Sequence, residues 1–105
     1  SLGCGRIFEG THKQMFESLN KIKNLPPETL VYCGHEYTLQ NSKFCIKYDS
    51  ENNKLKNKII EISKKIEKGL PTIPSKIQDE IDCNIFLKAN DLKSFSKLRD
   101  LKDNF

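Results

Sequence analysis

One run in the chain, TLVYC at residues 29–33, reads as a short buried β-strand: it is mostly β-branched or aromatic, it follows Pro26 and Pro27, and Gly34 halts it. A lone strand cannot satisfy its own backbone, because its N–H and C=O groups need a neighbour to bond. No other run in the 105 residues reads convincingly as a second strand. A helix followed by a short hydrophobic strand is the second half of an α/β unit, so the sequence is expected to be part of a larger domain. The opening SLGCGRIFEG gives a second sign, with an apolar residue at once, three glycines in ten positions and no capping signal. An internal cut is expected there rather than a native N-terminus.

The rest of the chain reads as helices. Thr11 and Gln14 have capping-box spacing, and Met15, Phe16, Leu19 and Ile22 recur on one face of the helix that follows. That helix stops at Leu25, because Pro26 and Pro27 lack a backbone N–H and disfavour a helical residue before them. TLQNSKFCIKY, residues 38–48, forms a second helix. A longer one from about Asn53 to Lys68 aligns Leu55, Ile59, Ile62 and Ile66, with Gly69 just past its lysine-rich end. LPTIPS reads as an extended loop feeding a second capping box at Ser75 and Gln78. In DLKSFSKLRDLKDNF, the spacing of Leu92, Phe95, Leu98 and Leu101 predicts a last helix.

Composition narrows the function classes. The hydrophobic fraction is 36% and the charged fraction 30%, a balance suited to a thin, largely helical domain or a piece of something larger. The net charge of +4 comes from lysines scattered among glutamates, which argues against a nucleic-acid footprint. No apolar run approaches the roughly 20 residues of a membrane span, and nothing resembles a signal peptide. The four cysteines, Cys4, Cys33, Cys45 and Cys83, make no C-x-x-C pair, so reduced thiols and a cytoplasmic setting are expected. An organellar form stays open.

Among candidate sites, His35 stands at the end of the apparent strand, where ligands collect in α/β folds, and Gly34 leaves room for close approach. From the residues alone it is either a structural or surface histidine or a metal ligand; one imidazole does not make a zinc site. Cys33 lies two residues away on the same strand face, but no third group orients the two as nucleophile and base. GCGRIFEG lacks the lysine and serine of a phosphate loop, so its glycines are read as a tight turn projecting Arg6. Arg99 and Lys102 share a helical face. His12 reads as a surface residue.

Taken in order, GCGRIFEG at 3–10, LPPETLVYCGHEYTLQNSKF at 25–44, PTIPS at 71–75 and LRDLKDNF at 98–105 resemble the C-terminal half of the hydroxyacylglutathione hydrolase (glyoxalase II) family, within the metallo-β-lactamase superfamily. The resemblance covers the whole chain. It implies an α/β remnant at residues 1–37, the end of an αββα sandwich, followed by a mainly helical glutathione-binding domain at 38–105. It implies substrate contacts at Arg6, Ile7, Phe8, His35, Glu36, Tyr37, Arg99 and Lys102, with His35 also the final metal-ligating histidine. Arg99 and Lys102 would hold the glycine carboxylate of glutathione, and Tyr37 its peptide part. Two divalent metal ions, zinc or else iron or manganese, would generate the hydroxide that attacks the thioester carbonyl. The leaving thiol, with a pKa of about 8.5, needs little acid assistance.

The sequence also departs from that family. The T-H-x-H-x-D-H motif, a further histidine and the bridging aspartate are absent, the aspartate being expected just upstream of Ser1. The chain as it stands is therefore expected to bind no catalytic metal and to hydrolyse nothing, its expected partner being the missing N-terminal metallo-β-lactamase portion. The alternative is a non-catalytic helical binding module derived from such an enzyme.

Overall fold

The computed structural model describes residues 1–7 and 9–105; Phe8, an expected substrate contact, lies outside the described residues. The elements run α1 (His12–Lys23), β1 (Leu30–Val31), α2 (Thr38–Tyr48), α3 (Asn53–Glu67), β2 (Ser75–Lys76), α4 (Ile77–Cys83), α5 (Ile85–Lys88) and α6 (Leu92–Asp103). The chain is mainly helical, as expected for the C-terminal part; the described residues show no sandwich layer. No helix among them is long and apolar enough to cross a membrane.

Local chemistry sets most helix ends. The expected first capping box forms: Thr11 Oγ1 accepts from the Gln14 N–H at 3.2 Å and Gln14 Oε1 from the Thr11 N–H at 2.9 Å. Asn52 and Asp91 cap α3 and α6 through their side-chain oxygens. Gly69, at φ +68°, closes α3. Its N–H donates to the Ile66 carbonyl at 3.0 Å and the Leu70 N–H donates to Lys65 at 2.8 Å, satisfying two carbonyls that the helix leaves open.

Two expectations change. The strand at 29–33 is ordered as a strand only at Leu30–Val31, and it is not buried: Leu30 is 50% exposed and Tyr32 73%. Its partner is β2, antiparallel with Leu30 opposite Lys76 and Val31 opposite Ser75, where the stretch read as a loop ends. One short neighbour covers one edge and neither face, so the apolar residues stay in solvent. The second capping box also differs. The Ser75 hydroxyl donates to Glu80 at 3.0 Å instead of capping, and Asp79 accepts from the Lys76 N–H at 3.2 Å, one residue later than the Ser75/Gln78 reading. The single turn α5 was not foreseen; the run IFLK is too short to show a period.

The core is built on Phe44, Leu55, Ile62, Phe86 and Phe95, each at most 1% exposed. Phe44 and Phe86 stack 5.6 Å apart, and Phe86 meets Phe95 edge-on at 6.0 Å. Leu2, fully buried, belongs to the same cluster, so residues from both sides of the expected 37/38 boundary share one core. Its backbone holds φ 60°, a left-handed conformation that costs a leucine roughly 1–3 kcal/mol.

What holds Leu2 there is Glu80, itself only 5% exposed. The Glu80 carboxylate accepts from the Leu2 N–H at 2.9 Å, the Ser75 hydroxyl at 3.0 Å and the Asn84 amide at 3.3 Å. Asn84 donates in turn to the Gly3 carbonyl at 2.9 Å, Asn41 to the Ser1 carbonyl at 3.0 Å, and the Cys45 thiol to the Leu2 carbonyl at 3.3 Å. A Cβ at Gly3 would stand 2.7 Å from Asn41 Nδ2, so this close approach requires glycine. Glu80→Ala leaves three donors unpaired and is expected to destabilise the chain by ~3 kcal/mol in urea unfolding. A loss below ~1 kcal/mol would show that these bonds do not hold the segment.

Candidate functional site

The network around Glu80 fixes the segment that carries Arg6, and a cavity of about 570 Å³ opens beside it. Arg6, His35, Tyr37, Arg99 and Lys102, five of the residues singled out from the sequence, line it together. They come from the N-terminal segment, the stretch ahead of α2, and α6. Gln40 and Asn41 also line the cavity and were not foreseen. Their signal is helical spacing: they follow Tyr37 by three and four residues at the start of α2, and so share its side of the helix.

The basic residues differ in how they are held. Arg6 is exposed. Arg99 is 3% exposed and its guanidinium is engaged by protein groups: Nη1 donates to the Gly5 carbonyl at 2.5 Å and to Cys4 Sγ at 3.4 Å, and Nη2 to Asp103 at 2.6 Å. It also lies 5.4 Å from the centre of the Phe86 ring. Its Nε is buried without a partner among the described residues. Arg99 thus clamps the backbone beside Arg6 as well as lining the cavity. The Lys102 Nζ sits 5.9 Å from both the Phe44 and Phe105 rings. Among the described residues that line the cavity there is no carboxylate; Asp103, which is not among them, pairs with Arg99.

The remaining expected residues fall elsewhere. Ile7 is half-buried and does not line the cavity. Glu36 turns to the loop before β2, where its carboxylate accepts from the Thr72 N–H at 3.1 Å and from the Thr72 hydroxyl. His12, read as a surface residue, keeps a 35% exposed side chain 3.7 Å from Asp100.

The His35 ring lies parallel to that of Tyr37, with centroids 5.1 Å apart. Among the described residues, no group of three or more His, Cys, Asp and Glu side chains is placed to hold a metal ion. A single imidazole does not make a metal centre by itself, so these residues do not fit a self-contained one. Burial pushes the Cys4 thiol above its ordinary value despite the Arg99 hydrogen bond, and burial raises Cys45 to about 11. Neither is a ready nucleophile near neutral pH.

The family described as "Hydroxyacylglutathione hydrolase C-terminus" matches residues 36–105. The chain belongs to this hydroxyacylglutathione hydrolase family. It is 65% identical over 105 residues to the hydroxyacylglutathione hydrolase of Pelagibacter ubique (strain HTCC1062), covering 100% of this chain and 44% of that protein. Against the protein of the same name from Prochlorococcus marinus (strain MIT 9312), identity is 46% over 101 residues, covering 96% and 41%. Against that of Erythrobacter litoralis (strain HTCC2594) it is 44% over 117 residues, covering 100% and 47%. The chain thus spans less than half the length of these hydroxyacylglutathione hydrolases and corresponds to their C-terminal part.

The Arg99–Asp103 pair gives the site a pH dependence. The hydrogen bond from Arg99 holds the Asp103 carboxyl below its ordinary value. A depressed carboxylate stabilises the fold above the unfolded-state pKa, and that contribution disappears as the pH falls through the folded-state value. Asp103 is 48% exposed, so solvent keeps the effect below about 1 kcal/mol. Asp103→Asn is expected to be slightly less stable than the parent at pH 7 in denaturant unfolding, with the gap closing below pH ~4. A gap that persists unchanged at pH 2 would assign the loss to packing.

Proposed function

We propose that the chain is the substrate-binding C-terminal part of an enzyme that hydrolyses S-2-hydroxyacylglutathione thioesters to glutathione and a 2-hydroxy acid. The observation that carries this reading is the cavity itself, which gathers Arg6, Tyr37, Lys102 and Arg99 from distant stretches into one basic, carboxylate-free pocket. The names of the related proteins supply the substrate class. In this reading, residues 1–37 end a metallo-β-lactamase-like layer and 38–105 form the helical part.

Each residue has a role its chemistry allows. Lys102 and Arg6 draw the tripeptide's glycine carboxylate into the pocket through charge-assisted hydrogen bonds. The Tyr37 hydroxyl donates to a peptide carbonyl, and the side-chain amides of Gln40 and Asn41 are in place to accept or donate along the ligand backbone. Arg99, engaged by Gly5 and Asp103, keeps the Arg6 loop and α6 at a fixed separation and contributes positive potential. His35 offers one imidazole to a metal pair whose other ligands this chain does not supply. The chain's own residues thus bind and orient substrate, and no bond-breaking step is assigned to them.

Calorimetric titration of glutathione into the 105-residue chain tests this. Lys102→Ala is expected to weaken binding by roughly fivefold, equivalent to about 1 kcal/mol for a partly solvated charged contact. Lys56→Ala, on the exposed face of α3, is expected to change nothing. Equal binding by the parent and Lys102→Ala would contradict the assignment, as would hydrolysis of lactoylglutathione by the chain alone.

A further inference from the structure

A second groove, of about 710 Å³, adjoins the basic cavity: Tyr37 and Gln40 line both. Its walls carry Leu39, Ile66 and Phe105, the last two 42% and 51% exposed, together with two opposite charges, Lys43 and Glu36. Lys43 follows Gln40 by one turn on the same face of α2. The two charges do not meet, since neither Lys43 nor Glu36 takes part in an ion pair among the described residues. The Glu36 oxygens accept from Thr72, which fixes the carboxylate in place, yet a carboxylate has about four acceptor positions and keeps some open.

We propose that this groove seats the γ-glutamyl end of the glutathione moiety, with Lys43 on its α-carboxylate and Glu36 on its α-ammonium. The inference rests on the reading of the basic cavity given above and extends it to the other end of the same ligand. That end is a zwitterion on two methylenes, and the groove presents a matching set of groups: one cation, one anion and an apolar wall. A ligand anchored by its glycine carboxylate near Lys102 passes Tyr37 and Gln40, the shared lining, to reach Lys43. The two sites then discriminate between the full tripeptide and the dipeptide that lacks its γ-glutamyl residue.

Glutathione and cysteinylglycine titrated into the parent chain, Lys43→Ala and Lys102→Ala separate the possibilities. The parent is expected to bind glutathione more tightly than cysteinylglycine. Lys43→Ala is expected to weaken glutathione binding roughly three- to fivefold, the range of a solvent-exposed charge pair, and to leave cysteinylglycine binding as it is. Lys102→Ala is expected to weaken both. If Lys43→Ala changes neither ligand, or both equally, while Lys102→Ala still weakens both, the γ-glutamyl seat is overturned and the basic cavity stands. If the parent binds no glutathione, both fall.

Discussion

A carboxylate taken out of water costs several kcal/mol unless its oxygens are satisfied, and Glu80 meets that cost with donors from three separate stretches: Leu2, Ser75 and Asn84. The rest of the structure depends on this junction. It ties the N-terminal segment into a core otherwise made of helices, and it turns the chain from β2 into α4. Leu2 can hold a positive φ because its N–H, its carbonyl and its side chain are all fixed at once.

From that junction the binding side follows by short steps. Residues 1–3 are held by Glu80, Asn84, Asn41 and Cys45, and Cys4 and Gly5 are held by Arg99. Arg6 therefore projects from a fixed backbone even though its own side chain is exposed. On the other wall, the N-terminus of α2 sets Tyr37, Gln40 and Asn41 in helical register. α6 brings Lys102 across, its ammonium close to Phe44 and Phe105. The basic cavity is thus a product of core packing, and the carboxylate paired with one of its lining cations, Asp103, is engaged by Arg99.

Local patterns were legible in the sequence where the chemistry is local. The Thr11/Gln14 box, the α3 stripe closed by Gly69 and the last helix depend on neighbours three or four residues away, and they form as read. The strand at 29–33 was misread as buried because β-branched composition reports what a segment suits, while burial depends on what lies beside it. Ser75 was misread as a cap because its hydroxyl had a stronger acceptor, Glu80, five residues on in the fold's interior. Motif order identified the family and singled out five of the residues that line the cavity, Arg6, His35, Tyr37, Arg99 and Lys102, but not Gln40 or Asn41. It could not show that the Arg99 guanidinium is bonded to Gly5, or that Glu36 faces Thr72, since both contacts span the fold in ways no spacing encodes; the Arg99–Asp103 pair, four residues apart in α6, is the kind of contact that helical spacing does encode.

Amide hydrogen exchange at Leu2 tests the central claim most directly, because protection of that N–H reports the bond to Glu80 and the burial of the whole segment together. The Leu2 amide is expected to exchange only with global unfolding, as slowly as those of Phe44 and Cys45 in α2. Exchange as fast as that of an exposed loop residue such as Glu9 would contradict the account. The N-terminal segment would then be a loose end, and the basic cavity would lose one of its walls.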